Sequence, residues 1–141
     1  MIVSAIDVGS YSIRLGVAQT NPFDVIYEKG YIVELGAGVK QSGCLEEEKI
    51  HKATEVIKEF KNISEQMGAQ NIMAIGTEAL RKAKNAKDFI ERVYKEIGIQ
   101  INIISGEEEG KLSYSASVYS LKLRSDVLVI DQGGGSTEYI F

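Results

Sequence analysis

The sequence predicts an α/β protein: a mixed five-stranded sheet flanked by helices, in the order βββαβαβα, followed by the opening β-hairpin of a second, similar unit. Three observations carry this. The first third reads as strand–turn–strand, with apolar residues alternating and turn residues between them. After residue 45 the apolar spacing changes to three and four, the period of a helix packed on one side, and helical and strand-like runs then alternate. Near the end, a strand leading into an Ile-Asp-x-Gly turn repeats the pattern that opens the chain.

The elements follow in order. Ile2–Asp7, Ser12–Ala18 and Asp24–Glu34 are the three strand runs, and Asn21-Pro22 marks one of the turns between them. Glu46–Met67 is a helix because Ile50, Ala53, Ile57, Phe60, Ile63 and Met67 form one apolar stripe, which Gly68 ends. Ile72–Ile75 is a short buried strand. Thr77 is expected to cap a helix starting at Glu78, and Asn85 with Asp88 to cap the next, which carries Phe89, Ile90, Val93, Tyr94 and Ile97 up to Gly98. Ile99–Ile104 is a strand, and Ser105-Gly106-Glu107-Glu108 is a capping box opening a helix to about Leu121. Val127–Ile130 and Thr137–Phe141 are again strands. The chain stops inside the last one, so the expectation is a fragment, because an unprotected apolar edge invites pairing with another chain.

Composition narrows the function classes. With 44% hydrophobic and 26% charged residues the 141-residue chain can bury a core, so disorder is not expected. The net charge is -4 with signs interspersed and no basic stripe, which argues against nucleic acid as a partner. The longest apolar runs are strand-sized, so no membrane span is expected, and the start lacks the pattern of a secretory leader. The single cysteine, Cys44, cannot form an internal disulfide, and a cytoplasmic location is expected.

The chemistry lies in the repeated turn. Ile6-Asp7-Val8-Gly9-Ser10-Tyr11-Ser12 and Ile130-Asp131-Gln132-Gly133-Gly134-Gly135-Ser136 both read Ile-Asp-x-Gly-small-x-Ser after a strand. Glycines let backbone N–H groups approach an anion, and Ser10, Ser12 and Ser136 offer hydroxyl donors to phosphate oxygens. The aspartates would repel phosphate directly, so they suit a divalent metal or its bound water. One such turn reads equally as an ordinary hairpin; two of them favour a function. Glu138 alternates onto the strand face of Ser136, where it either helps Asp131 hold Mg²⁺ or is a plain exposed strand residue. Arg81, after the Ile75-Gly76-Thr77 turn, either grips phosphate in a bidentate way or is a surface arginine. Lys82, Lys84 and Lys87 read as a solvated helix face, Gly36-Ala37-Gly38 as a turn, and His51 and Cys44 lack partners for metal or nucleophilic chemistry.

Asp7-Val8-Gly9-Ser10, Gly76-Thr77-Glu78-Ala79-Leu80-Arg81, Ile104-Ser105-Gly106-Glu107-Glu108-Glu109-Gly110 and Asp131-Gln132-Gly133-Gly134-Gly135-Ser136-Thr137-Glu138 resemble the signature blocks of the exopolyphosphatase/guanosine pentaphosphate phosphatase family, in the family's order. The resemblance implies a ribonuclease-H-like fold of the actin, sugar-kinase and heat-shock-chaperone superfamily, in which two such domains face each other across a cleft. Residues 1–124 would be the first domain and 125–141 the first hairpin of the second. It further implies Mg²⁺-dependent hydrolysis of a terminal phosphoanhydride in polyphosphate or guanosine pentaphosphate, and a homodimer for the full-length protein. Glu109 matches the family's catalytic base and Arg81 a charge-offsetting residue. Ser10, Ser12, Gly133, Gly134, Gly135 and Ser136 would hold phosphate, and Asp131, Glu138 and Asp7 the metal. Glu107 and Glu108 keep their helix-capping reading. Where the family usually has asparagine this chain has Tyr11, whose phenol cannot supply an amide's paired donor and acceptor. An actin-like ATPase or kinase, and a non-catalytic guanosine-polyphosphate sensor, are the alternatives.

Overall fold

The computed structural model describes the whole chain, Met1–Phe141. Strands β1 (Ile2–Val8), β2 (Ser12–Thr20) and β3 (Phe23–Ile32) are antiparallel neighbours. The chain then runs through α1 (Val39–Ser42), α2 (Glu47–Gln66), β4 (Asn71–Gly76), α3 (Glu78–Lys82), α4 (Ala86–Ile97), β5 (Ile101–Ile103) and α5 (Gly106–Leu121). It ends in a hairpin of β6 (Val129–Gln132) and β7 (Thr137–Ile140). The main sheet has the order β3-β2-β1-β4-β5, with β4 parallel to both β1 and β5. This is the mixed five-stranded, helix-flanked sheet expected of a ribonuclease-H-like fold. The last hairpin is a sheet of its own. No helix is long and apolar enough to cross a membrane.

Alternation decides the two faces of the sheet. Ile6 and Val8 of β1 and Ile13, Leu15 and Val17 of β2 point to one side and are buried. There they meet the apolar stripe of α2 (Ile50, Ala53, Ile57, Phe60) and that of α4 (Phe89, Val93, Ile97) in one cluster of 22 buried residues. Thr54 and Ser64 on the buried side of α2 satisfy their hydroxyls on the carbonyls of Ile50 and Phe60, four residues back. At the sheet edge, Tyr31 stacks on Phe60 with ring centroids 5.8 Å apart, and its hydroxyl donates to Glu59. The other face of β1 and β2 carries Asp7 and Arg14, directly across from one another. Burying one face therefore sends the ionisable residues of the first turn to the other.

Two local expectations are corrected. Asn85 does not cap α4; its side-chain amide accepts from the Leu45 N–H (2.8 Å) and donates to the Leu45 carbonyl (3.0 Å), pairing two loops 40 residues apart. Nor does Thr77 cap α3; the serine that does so comes from a different turn, as described below. The glycine loop at residues 36–38 is followed by the single helical turn α1, which the sequence pattern did not announce. By contrast, the Ser105–Glu108 capping box forms in full and starts α5 where expected.

Replacing Phe60, which is fully buried, with alanine should cost about 3–5 kcal/mol by loss of transfer energy and the cavity left behind. A urea midpoint close to the parent protein's would contradict this placement of the core.

Candidate functional site

The two turns are alike down to their hydrogen bonds. In the first, the Gly9 N–H donates to the Ser12 carbonyl at 3.1 Å; in the second, the Gly133 N–H donates to the Ser136 carbonyl at 2.9 Å. The strand pairings that follow match as well: Asp7 lies across from Arg14, and Asp131 from Glu138. The repeat thus puts a cation on one arm and an acid at the corresponding place on the other. Arg14 was not singled out from the sequence, although it sits two residues past Ser12 and so shares its strand face; strand alternation was the signal that could have found it.

The turns also touch. A side-chain carbon on Gly134 would stand 2.5 Å from the Tyr11 Cβ and 3.2 Å from its backbone nitrogen, so only glycine allows this approach. Tyr11 itself is fixed by its carbonyl, which accepts the N–H groups of Val33 and Glu34. Beside this contact lies a cleft of about 370 Å³ lined by Asp7, Gly9, Ser12, Arg14, Thr77, Glu109, Asp131 and Gly133–Ser136, among others. Ser10 and Tyr11 line it as well, and also line a neighbouring hollow that contains Glu34, Lys40, Glu78 and Lys82. The structure therefore gathers Asp7, Ser10, Ser12, Glu109, Asp131, Gly133, Gly134, Gly135 and Ser136 around one cleft. Glu138 and Arg81 reach it through Asp131 and Glu109 respectively.

Ser10 is less free than the sequence suggests. Its hydroxyl accepts the Ala79 N–H (3.1 Å), which makes it the cap of α3, and donates to Glu78 Oε2 (3.1 Å). Its proton is therefore already engaged.

Glu109 is held by Arg81, whose Nη1 donates to Glu109 Oε2 (3.0 Å) and to the Ile104 carbonyl (2.8 Å). Burial pushes the Glu109 carboxyl above its ordinary value; the Arg81 guanidinium pulls it back, and the negative charges of Glu138 and Asp7 push it up further. Asp7 is raised for the same leading reason, since the cleft floor desolvates it even though solvent still reaches part of its surface. Arg14 lowers it and Asp131 raises it. Both acids thus hold protons more readily than free carboxylates do.

Acids of this kind, with phosphate-sized space beside glycine N–H groups, suit Mg²⁺, which takes hard oxygen ligands. Glu138 Oε2 is buried without a hydrogen-bond partner, an orphan that a cation or its water would satisfy. Asp131 is tied to the Ser113 hydroxyl of α5. No three acid, histidine or cysteine side chains converge closely enough to hold an ion alone.

Fold and site together define a mixed-sheet domain whose two strand-end glycine turns meet at one cleft lined with acids and serines. Comparison with known proteins is specific: residues 13–141 match the model of the Ppx/GppA phosphatase family, and the chain belongs to that family. It is 32% identical to a putative exopolyphosphatase of Haemophilus influenzae over 98% of this chain and 43% of that protein. It is 30% identical to a guanosine-5'-triphosphate,3'-diphosphate pyrophosphatase of Aliivibrio fischeri, over 97% of this chain and 28% of the other. The crystal structure of the Aquifex aeolicus Ppx/GppA family member superposes with a TM-score of 0.87 at 45% identity, covering 99% of this chain and 46% of that one. The chain thus spans less than half the length of these relatives.

Because the Asp7 pKa is raised from 3.8, folding favours its protonated form. That contribution is complete below pH 3.8 and is lost as the pH climbs through the raised value. Asp7→Asn, with no proton to lose, should therefore gain stability relative to the parent between about pH 3 and pH 7. Paired urea titrations at the two pH values test this, and parallel shifts at both would refute it.

Proposed function

We propose that the full-length protein hydrolyses a terminal phosphoanhydride, of inorganic polyphosphate or of the 5′ end of guanosine pentaphosphate, releasing orthophosphate. What carries this reading is the single cleft in which two hydrogen-bonded glycine turns face a carboxylate whose pKa is raised. Residues 1–124 would form one domain and 125–141 begin a second, in a cytoplasmic homodimer. The names of the H. influenzae and A. fischeri relatives support the two substrate classes.

In the proposed chemistry the N–H groups of Gly134 and Gly135 and the hydroxyls of Ser12 and Ser136 receive the terminal phosphate, while Gly133, whose N–H is spent on the Ser136 carbonyl, lines the same wall. Ser10 shapes the same wall and can turn its proton to phosphate only by leaving Glu78. Arg81 fixes one oxygen of Glu109. The other oxygen is left to orient a water and take its proton as the water attacks phosphorus in line and the bridging P–O bond breaks. Arg81 also offsets negative charge beside the reacting group. Asp131, Glu138 and Asp7 would hold Mg²⁺, whose role when bound is to neutralise phosphate charge. A raised carboxyl suits a base, because its conjugate acid is weak enough to keep the proton it receives.

Glu109→Gln in the full-length protein should lower kcat by about 10²–10⁴-fold with little change in KM, measured as phosphate release from each substrate. In the parent enzyme kcat should rise with pH through a value above 4.5, since Glu109 works only when deprotonated, and this limb should be absent from the variant's residual rate. Undiminished turnover would remove Glu109 from the mechanism. Chelation of divalent metal should abolish release and Mg²⁺ restore it; activity indifferent to chelation would exclude the metal role. Nucleoside triphosphate run in parallel separates this activity from an ATPase or kinase, and binding of guanosine pentaphosphate without phosphate release would indicate a sensor.

A further inference from the structure

Glu78 has no part in the chemistry above, yet its carboxylate is among the most buried charged groups in the protein, with its side chain 11% exposed. It opens α3, accepts the Ser10 hydroxyl through Oε2 and pairs with Lys82 through Oε1, one helical turn on. The opposing side of this carboxylate is the second turn. A side-chain carbon on Gly135 would fall 1.7 Å from Glu78 Oε2 and 2.9 Å from Ser10 Oγ. The Ser10–Glu78 pair is therefore packed against the Cα of Gly135, and the carboxylate cannot simply swing aside, since Ser10 and Lys82 both hold it.

The two turns come from parts of the chain 125 residues apart, Ser10 in the first and Gly135 in the second, so something must set their separation. The contact of Gly134 with Tyr11 sets one point. We propose that Glu78 sets the other: it is a positioning residue whose carboxylate is the seat on which Gly135 registers the second turn against the first. This rests on the reading that the paired turns grip phosphate. Lys82 offsets the charge of the seat, and Ser10 stands between the carboxylate and the cleft, so a negative group can serve beside an anion site without facing it.

The test measures binding of inorganic tripolyphosphate with Mg²⁺ to the full-length protein by calorimetry, so it does not depend on hydrolysis. Glu78→Ala should weaken binding about tenfold by leaving the second turn without its seat. Glu78→Gln, whose amide oxygen still accepts from Ser10, should bind within about twofold of the parent. Gly135→Ala should bind worst of the single variants, because its new carbon meets the carboxylate. In the double variant the carboxylate is gone, so affinity should recover at least about tenfold over Gly135→Ala alone. A part that is only structural would make the two losses multiply. Multiplying losses overturn the proposal; so does equal affinity of Glu78→Ala and Glu78→Gln, a comparison that stands even if Gly135→Ala does not fold. If the parent protein binds tripolyphosphate but releases no phosphate, the hydrolase reading fails while this inference remains open to the same measurement; if it binds none, the phosphate grip and the inference fall together.

Discussion

Everything in the cleft depends on the close approach of Gly134 to the backbone of Tyr11. Two strand-end turns from distant parts of the chain can line one cleft this closely only if their backbones nearly touch, and a single methyl group at residue 134 would collide with the Tyr11 Cβ and crowd the Tyr11 backbone. On the Tyr11 side the backbone is anchored by the N–H groups of Val33 and Glu34, and Gly36 donates to the Ser10 carbonyl. The first turn is in this way stitched to the loop after β3, and through Ser10 to the start of α3. Backbone hydrogen bonds anchor the first turn, and side-chain bonds of Ser10, Glu109 and Asp131 tie the cleft walls to α3 and α5.

Around this contact the charges are arranged against one another. Asp7 faces Arg14 and Asp131 faces Glu138 across equivalent strand positions, so a repeated backbone carries unlike electrostatics on its two arms. Glu109 feels Arg81 on one side and the acids Glu138 and Asp7 on the other, and burial outweighs the guanidinium. Burial and the neighbouring acids together raise the carboxyls of Asp7 and Glu109. Beside them Glu138 Oε2 is buried without a hydrogen-bond partner.

The fold was legible where periodicity is strong. The alternation in the first three strands, the apolar stripe of α2 and the Ser105–Glu108 box each produced the element they announce, because local spacing and burial agree there. Legibility failed where a polar side chain had a distant alternative. Asn85 and Thr77 both stand in cap positions by sequence. Asn85 is used instead to pair Leu45 across 40 residues, and α3 takes its cap from Ser10, 69 residues from Ala79. Short polar side chains bond to whatever backbone lies nearest in space, and sequence neighbours hold no privilege in that contest.

Much of the site was visible beforehand: the repeated Asp-x-Gly-small-x-Ser turns, the strand face of Glu138 and the helix start at Ser105 follow from spacing, while Glu109 was picked out by the family resemblance. Spacing says which residues point to one face of one element; it does not say which elements meet. That Arg81 holds Glu109, that the Ser10 hydroxyl donates a hydrogen bond to Glu78, and that Gly135 rests on the same carboxylate were decided only when β1, α3, α5 and the last hairpin packed together. The sequence by itself determined the chemistry available to the cleft, because residue type and local period are local properties. Tertiary structure alone decided how those groups are paired, because hydrogen bonds and van der Waals contacts depend on distances of a few ångströms between segments far apart in the chain.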